Sequence, residues 1–496
     1  MSQREFRLRD TMSGQVKPLT TSEPGHLRFY TCGPTVYSYA HIGNFRSFLA
    51  ADLVVRTARA LGWKVTWVVN ITDVGHLTQD DVADAGGEDR MEKALKSKEG
   101  EQFANVWDLA EYYATAYIED WKRLNLSEPS VRPRATQHVR EQIVMVEELL
   151  EKKHAYETPT GVYFDVDSKG DYGKLSGNTR DRLKEGVRDV VLDENKRQQA
   201  DFALWKKDDK HLMQWYSPWG WGFPGWHIEC SAMSRVYLGD TIDLHSGGED
   251  NMFPHHECEI AQTESVTGKP FSNHWMHVRF LQVEGEKMAK RTGNFYTVRD
   301  LVEAGHDPIA LRYALISVPY GKPLNFTMQS LRDAERNVER MREALRRVEG
   351  ALGSLEGEGS PSAELEKIYA EALDAMCDDL NTSVAIAKAL EGVKVINRGA
   401  SLSVEEAQAG LWFLGRVNAL LGIVCNDYEM CGGTREPEEP SVEGKSVSEW
   451  IEDRDTAKQS RDYAAADAIR VKLASAGIEL RDSPEGTTWV RRPVGV

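Results

Sequence analysis

Apolar and polar positions fall into blocks whose period changes along the chain. Arg28-Phe29-Tyr30 reads as a short strand leading to Cys32 and Gly33-Pro34. Phe48, Leu49, Leu53, Val54, Ala58 and Leu61 then recur mostly three and four apart, which predicts a helix from about Gly43 to Leu61. An apolar run, V-T-W-V-V-N-I at 65–71, predicts a parallel strand from Lys64 that ends in Asn70-Ile71-Thr72-Asp73. Strand, helix and strand in this order are the first half of an α/β nucleotide fold, assigned to 1–75 with 1–25 as an irregular arm that holds a short strand around Phe6-Arg7-Leu8.

The pattern then breaks. Glu88–Leu124 and Gln137–Lys153 carry helical periodicity, and His154–Asp165, around Thr158-Pro159-Thr160-Gly161, predicts a hairpin. Residues 76–200 are therefore an insertion, and the second half of the α/β fold is expected over 201–305, resuming near Phe202-Ala203-Leu204-Trp205. Its polar strand ends include Asp243-Leu244-His245, followed by a tight turn at Gly247-Gly248, and a strand over Trp275–Val283 leads into K-M-A-K-R. From 306 to 424 the chain predicts a helical bundle, with Thr327 capping a long helix over Met328–Val348. Arginines 332, 336, 340 and 347 run along one face of that helix, which fits a solvated, salt-bridged face or a track for an RNA backbone. A linker over 425–445 precedes a small terminal piece at 446–496.

Composition narrows the class. Hydrophobic residues make up 41% and charged residues 28%, an ordinary balance for a globular protein. No apolar run approaches the roughly 20 residues that span a bilayer, so no membrane is expected, and the first ten residues carry no secretory apolar core. Six cysteines without a C-x-x-C pair are too few for a disulfide framework, which points to a reducing, cytoplasmic setting. The net charge of −17 does not by itself advertise a nucleic-acid partner, so any such partner must use local basic patches.

The candidate chemistry lies at the first strand end. His41, Gly43 and Asn44 sit where a loop enters a helix N-terminus, where unpaired N–H groups favour an anion, and Gly43 permits close approach. Far downstream, Lys287 and Lys290 flank Met288-Ala289 in a basic loop suited to closing on a triphosphate. His255 and Glu259 are four apart, so a helix would put both on one face; that spacing lets them share a metal ion, although such a pair on its own is more often a surface hydrogen bond. Cys32 and Cys230 would complete a set of four ligands, but spacing alone cannot join them across the chain.

H-I-G-N followed by K-M-A-K resembles the class I aminoacyl-tRNA synthetases, whose signatures are H-I-G-H and K-M-S-K-S. Y-T-C-G-P-T-V-Y, N-I-T-D, P-G-W-H-I-E-C-S-A-M, D-L-H-S-G-G-E-D-N-M-F-P-H-H-E, K-M-A-K-R-T-G-N and S-P-E-G-T-T-W together resemble the cysteinyl-tRNA synthetases, over almost the whole chain from about residue 25. The resemblance implies a Rossmann-like catalytic domain with a mixed helical insertion, an all-α bundle and a small α+β anticodon-binding end. It implies ATP-dependent activation of L-cysteine and its transfer to tRNA(Cys), with one Zn²⁺ held by Cys32, Cys230, His255 and Glu259 and with Mg²⁺ accompanying ATP. His41, Asn44, Lys287 and Lys290 fall on the catalytic positions. With Gly43 they form the ATP site. Thr72, Trp226, His245 and Asp250 fall on the cysteine pocket, and the chain is expected to be a monomer.

Two departures stand out: asparagine for the second histidine of H-I-G-H, and Ala289 and Arg291 in place of the two serines of the lysine loop. Both lysines remain. The cysteine ligase of mycothiol synthesis shares the catalytic domain but lacks the anticodon module, which the tail here resembles. A non-catalytic paralogue is the alternative from another class, and the presence of His41, Lys287 and Lys290 opposes it.

Overall fold

The computed structural model describes residues 4–74, 89–178, 195–288, 294–355, 357–426, 441–442, 445–460, 462–475, 478–483 and 486–491. They form two compact units, Met1–Met430 and Cys431–Val496.

The first unit is built on a four-stranded parallel sheet in the order Lys64–Val69, His26–Thr31, Leu244–Gly248, Trp275–Val278. Leu27, Phe29, Tyr30, Trp67, Val68 and Val69 are fully buried, as two-sided packing of a parallel sheet requires. The helix Ile42–Ala60 joins the first two strands. The chain then returns on the other side of His26–Thr31, so the strand order reverses between that strand and Leu244–Gly248. Such a switch point leaves a crevice at the carboxyl ends of the strands. Thr31-Cys32 and Ser246-Gly247-Gly248 lie there.

Several expectations are corrected. The arm is more regular than expected: the short strand around Phe6-Arg7-Leu8 is present as Arg7–Asp10 and pairs with Gln15–Pro18 in a hairpin, and Thr11 N–H donates to the Trp275 carbonyl at 2.8 Å, fastening its turn to the sheet edge. The helical stretch read up to Leu124 is divided into separate helices. Asp89 and Asn105 cap two, Arg90–Leu95 and Val106–Arg123, and a Cβ at Gly100 between them would lie 2.2 Å from the Ala94 carbonyl. Phe202–Lys207 does not resume the parallel fold. It is the middle strand of a five-stranded antiparallel sheet with Gly161–Phe164 and Gly220–Pro224 on either side, so the insertion reaches Pro224 rather than residue 200. The parallel fold resumes with the helix Trp226–Leu238. Gly247-Gly248 is strand rather than turn, and Trp275–Val283 is two strands, Trp275–Val278 and Leu281–Val283.

The helices Pro308–Ile316, Met328–Leu352, Ala363–Cys377, Thr382–Ile396 and Val404–Leu421 follow. Thr327 caps the long one through the Ser330 N–H, and the helix continues past Val348 to Leu352. Arg332 bonds Gln329 and Arg336 bonds Asp333 on the helix itself, while Arg347 reaches Asn397 and the Gly399 carbonyl. The second unit holds the helices Val447–Gln459 and Tyr463–Ser475 and a hairpin of Ile478–Ser483 with Gly486–Arg491, around Val447, Leu473, Ile478 and Leu480. Among the described residues, no helix is long and apolar enough to cross a membrane.

Candidate active site and metal centre

Cys32 follows directly on the strand His26–Thr31, and its N–H donates to the Ser246 carbonyl at 3.2 Å, across the switch point. Gly33 then turns away. Its N–H donates to Asn70 Oδ1 at 2.8 Å, and an added Cβ would lie 1.6 Å from the Asn70 carbonyl oxygen, so only glycine fits. Asn70 Nδ2 donates to Thr72 Oγ1 at 3.1 Å, and Thr72 N–H donates to the Pro34 carbonyl at 3.0 Å. Thr72 is thus buried beside the Cys32 segment.

Cys230 comes from the first turns of the helix Trp226–Leu238, and His255 and Glu259 from a helical turn and the helix Glu257–Thr267. These four residues, far apart in sequence, converge: their ligand atoms lie within 4.8 Å of one another, and all four side chains are buried. Cys32 Sγ is 4.0 Å from Cys230 Sγ and 3.5 Å from Glu259 Oε1, and His255 Nε2 is 3.0 Å from that same oxygen. Two sulfurs, an imidazole and a carboxylate at such separations suit a small, borderline-soft cation. A second grouping, Cys32, His245, His256 and Glu259, shares two of the four.

The surroundings hold these side chains in place. Trp226 stacks on the His255 ring at 4.2 Å, and His245 Nε2 bonds Glu259 Oε2 at 2.8 Å. Burial pushes the Cys32 thiol well up, reinforced by Cys230 beside it. Burial would raise Cys230 too, but its hydrogen bond with Cys32 and the His255 charge bring it down to about 6. Burial works against the Glu259 carboxylate as well, and His245 and His255 overcome it and hold Glu259 far below the usual range. A cation among these groups would compensate crowded negative charge.

The other half of the site is the entry to the helix Ile42–Ala60. His41 is its N-cap: Nδ1 accepts from Asn44 N–H at 3.2 Å, and Asn44 Oδ1 accepts from His41 N–H at 3.1 Å. A Cβ at Gly43 would sit 2.9 Å from the His41 ring and 3.2 Å from Met288 Cε. His41, Gly43, Asn44, Asp250, Met288 and Cys32 all line one cavity of about 650 Å³. Cys32 is therefore shared by the cavity and the metal-ligating cluster.

The lysine loop begins and ends at this junction. Lys287 closes a strand paired with Gln282, and Met288 lies against Gly43. On the far side, Phe295 packs edge-on to His41 at 5.3 Å, and Ile42 N–H donates to the Tyr296 carbonyl at 3.0 Å. Lys290 lies outside the described residues, as does the Lys287 side chain.

Sequence reasoning missed His256, which is 3.3 Å from Cys32 Sγ, and its partner His277. The doublet His255-His256 was the available signal, but the i, i+4 rule selects only the first.

A family model described as the class I (C) tRNA synthetase catalytic domain matches residues 18–336, and a DALR domain model matches 373–425. The fold resembles Mycobacterium tuberculosis methionyl-tRNA synthetase in complex with methionyl-adenylate (TM-score 0.53, 14% identity, covering 85% of this chain and 96% of that one). It also resembles an Agrobacterium radiobacter K84 LeuRS solved with tRNA and LeuAMS (TM-score 0.59, 11% identity, covering 86% and 88%). Fold and family model together define a class I tRNA synthetase. Over its whole length the chain is similar to the cysteine–tRNA ligases of Salinibacter ruber (54% identity, 98% of both chains), Chlorobaculum tepidum (40%, 96% and 97%) and Thermus thermophilus (40%, 97% and 98%). The chain belongs to the cysteine–tRNA ligase family.

Proposed function

We propose that this chain activates L-cysteine with ATP and transfers it to the 3′ end of tRNA(Cys), acting as a cytoplasmic monomer. The observation that carries the reading is the shared position of Cys32, at once a wall of the nucleotide-sized cavity and a member of the buried donor set. An amino-acid thiol entering that cavity would arrive beside the donors.

Cys32, Cys230, His255 and Glu259 would hold one Zn²⁺. We favour this set over the alternative with His245 and His256 because it includes both sulfurs. When bound, the metal supplies a soft Lewis acid that prefers a thiolate to a serine hydroxyl. The residues around it do the orienting: His245 fixes one Glu259 oxygen, and the Trp226 ring restrains His255. Thr72, Trp226, His245 and Asp250 would shape the cysteine pocket, with Asp250 on the cavity side.

ATP, with its Mg²⁺, would lie along the cavity toward the helix entry. The cysteine carboxylate attacks the α-phosphorus, a P–O bond forms to cysteine, and the bond to pyrophosphate breaks. His41 and Asn44 would stabilise charge developing on the α-phosphate, and Gly43 admits the nucleotide. Lys287 and Lys290 would neutralise the leaving pyrophosphate. A ribose hydroxyl of the tRNA end then displaces AMP from the adenylate. The protein's part is positioning and electrostatics. The tail and bundle would carry the tRNA contacts.

The test is cysteine-dependent exchange of labelled pyrophosphate into ATP, followed by presentation of tRNA or an amino sugar as acceptor. We expect exchange with cysteine and transfer to tRNA only. Transfer to the sugar, or no exchange by a metal-loaded protein, would overturn the reading.

A further inference from the structure

A row of buried groups leads away from Cys32. His256 Nε2 lies 3.3 Å from Cys32 Sγ, His256 Nδ1 lies 2.8 Å from His277 Nε2, and His277 Nδ1 lies 2.7 Å from Thr11 Oγ1. His256 is wholly buried and His277 nearly so. The row has a built seat. A Cβ at Gly247 would come within 2.8 Å of the His256 ring, so the glycine at this strand position makes room for it. Thr11 stands at the turn of the N-terminal hairpin, held by its own N–H to Trp275.

Each link holds one hydrogen, so fixing one end fixes all the others. A Cys32 that ligates a cation has lost its proton, and His256 Nε2 must then be the donor. His256 Nδ1 must accept, so His277 Nε2 donates. His277 Nδ1 in turn accepts, and only the Thr11 hydroxyl can supply that hydrogen. With a protonated thiol, the row can run the other way.

We propose that Thr11, His277 and His256 are a positioning relay that holds a hydrogen-bond donor on the Cys32 thiolate, so that the N-terminal hairpin sets the strength of Cys32 as a metal ligand. The inference rests on the metal reading given above. Outer partners of this kind typically change metal affinity by about ten- to a hundredfold. His256 touches the ligand sulfur, whereas His277 and Thr11 act through it.

The test uses the full chain, with Co²⁺ as the probe and chelator competition for affinity. Thr11→Val removes the hydroxyl with little change of shape, and His277→Gln interrupts the row. We expect Co²⁺ affinity to fall about tenfold in Thr11→Val and by up to about a hundredfold in His277→Gln, with a shifted sulfur-to-cobalt charge-transfer band in both. Thr11→Ser should keep wild-type affinity and band at an unchanged Tm. Cys230→Ser is the control for the site itself. Wild-type affinity and spectrum in Thr11→Val and His277→Gln, with Co²⁺ binding lost in Cys230→Ser, would overturn the relay and leave the metal site standing. Undiminished Co²⁺ binding in Cys230→Ser would overturn the site, and the relay with it.

Discussion

Asp52 and Arg312 meet at 2.5 Å in the interior of the first unit, both fully buried, one on the helix Ile42–Ala60 that opens at His41 and the other in the helical region that follows the lysine loop. Arg56 joins the same Asp52 oxygen at 2.8 Å, and Ser127 N–H donates to the other at 2.8 Å. Arg312 also donates to the carbonyls of Leu124, Asn125 and Leu421, and Arg56 to those of Asn125 and Asn418. One carboxylate thereby ties the nucleotide-fold helix to the insertion and the bundle. Asp52→Asn would leave two buried guanidinium groups under-compensated, so we expect a loss of about 3–5 kcal/mol in denaturant unfolding.

The same carboxylate has a pH signature. Burial would raise it, but Arg56 and Arg312 outweigh that and hold it at about 2. A depressed folded-state value means stability that is present above the unfolded carboxyl range and is lost as pH falls toward 2. We expect the native chain to lose about 2 kcal/mol from this group between pH 5 and pH 2, and Asp52→Asn to show a correspondingly flatter acid limb in Tm against pH.

Gly33 and Gly43 are predicted to fail differently. At Gly33 the obstacle is the backbone carbonyl of Asn70, which cannot step aside. Gly33→Ala should lower stability by about 3 kcal/mol or more and displace Cys32. At Gly43 the obstacles are the His41 ring and the end of Met288, both side chains. Gly43→Ala should keep its Tm and raise KM for ATP, measured by pyrophosphate exchange.

Lys290→Ala should leave the fold untouched and reduce cysteine-dependent exchange by roughly 10²–10³-fold, chiefly in kcat. An unchanged kcat would remove Lys290 from the triphosphate site.

Much of this was legible in the chain because the elements at the site are strongly patterned. The residues before Cys32 read as a strand and the periodicity of Phe48 to Leu61 as a helix, and strand and helix appear where those readings put them. Phe202-Ala203-Leu204-Trp205 does not. A continuous apolar run is buried on both faces whether its neighbours are parallel or antiparallel, so periodicity could not tell the insertion's sheet from the nucleotide fold. The convergence of Cys32 and Cys230 was likewise invisible to spacing, since only the return of the chain across the switch point joins them. His256 and Thr11 escaped notice because their partners lie on strands and turns remote in sequence.

The most direct measurement is transfer of labelled cysteine to total tRNA, with ATP and Mg²⁺, by protein whose zinc content has been determined, run beside labelled serine. We expect cysteine to be charged and serine not, with charging lost on chelation and restored by Zn²⁺. Equal charging of serine would contradict selection by the metal, and no charging by zinc-loaded protein would contradict the ligase function itself.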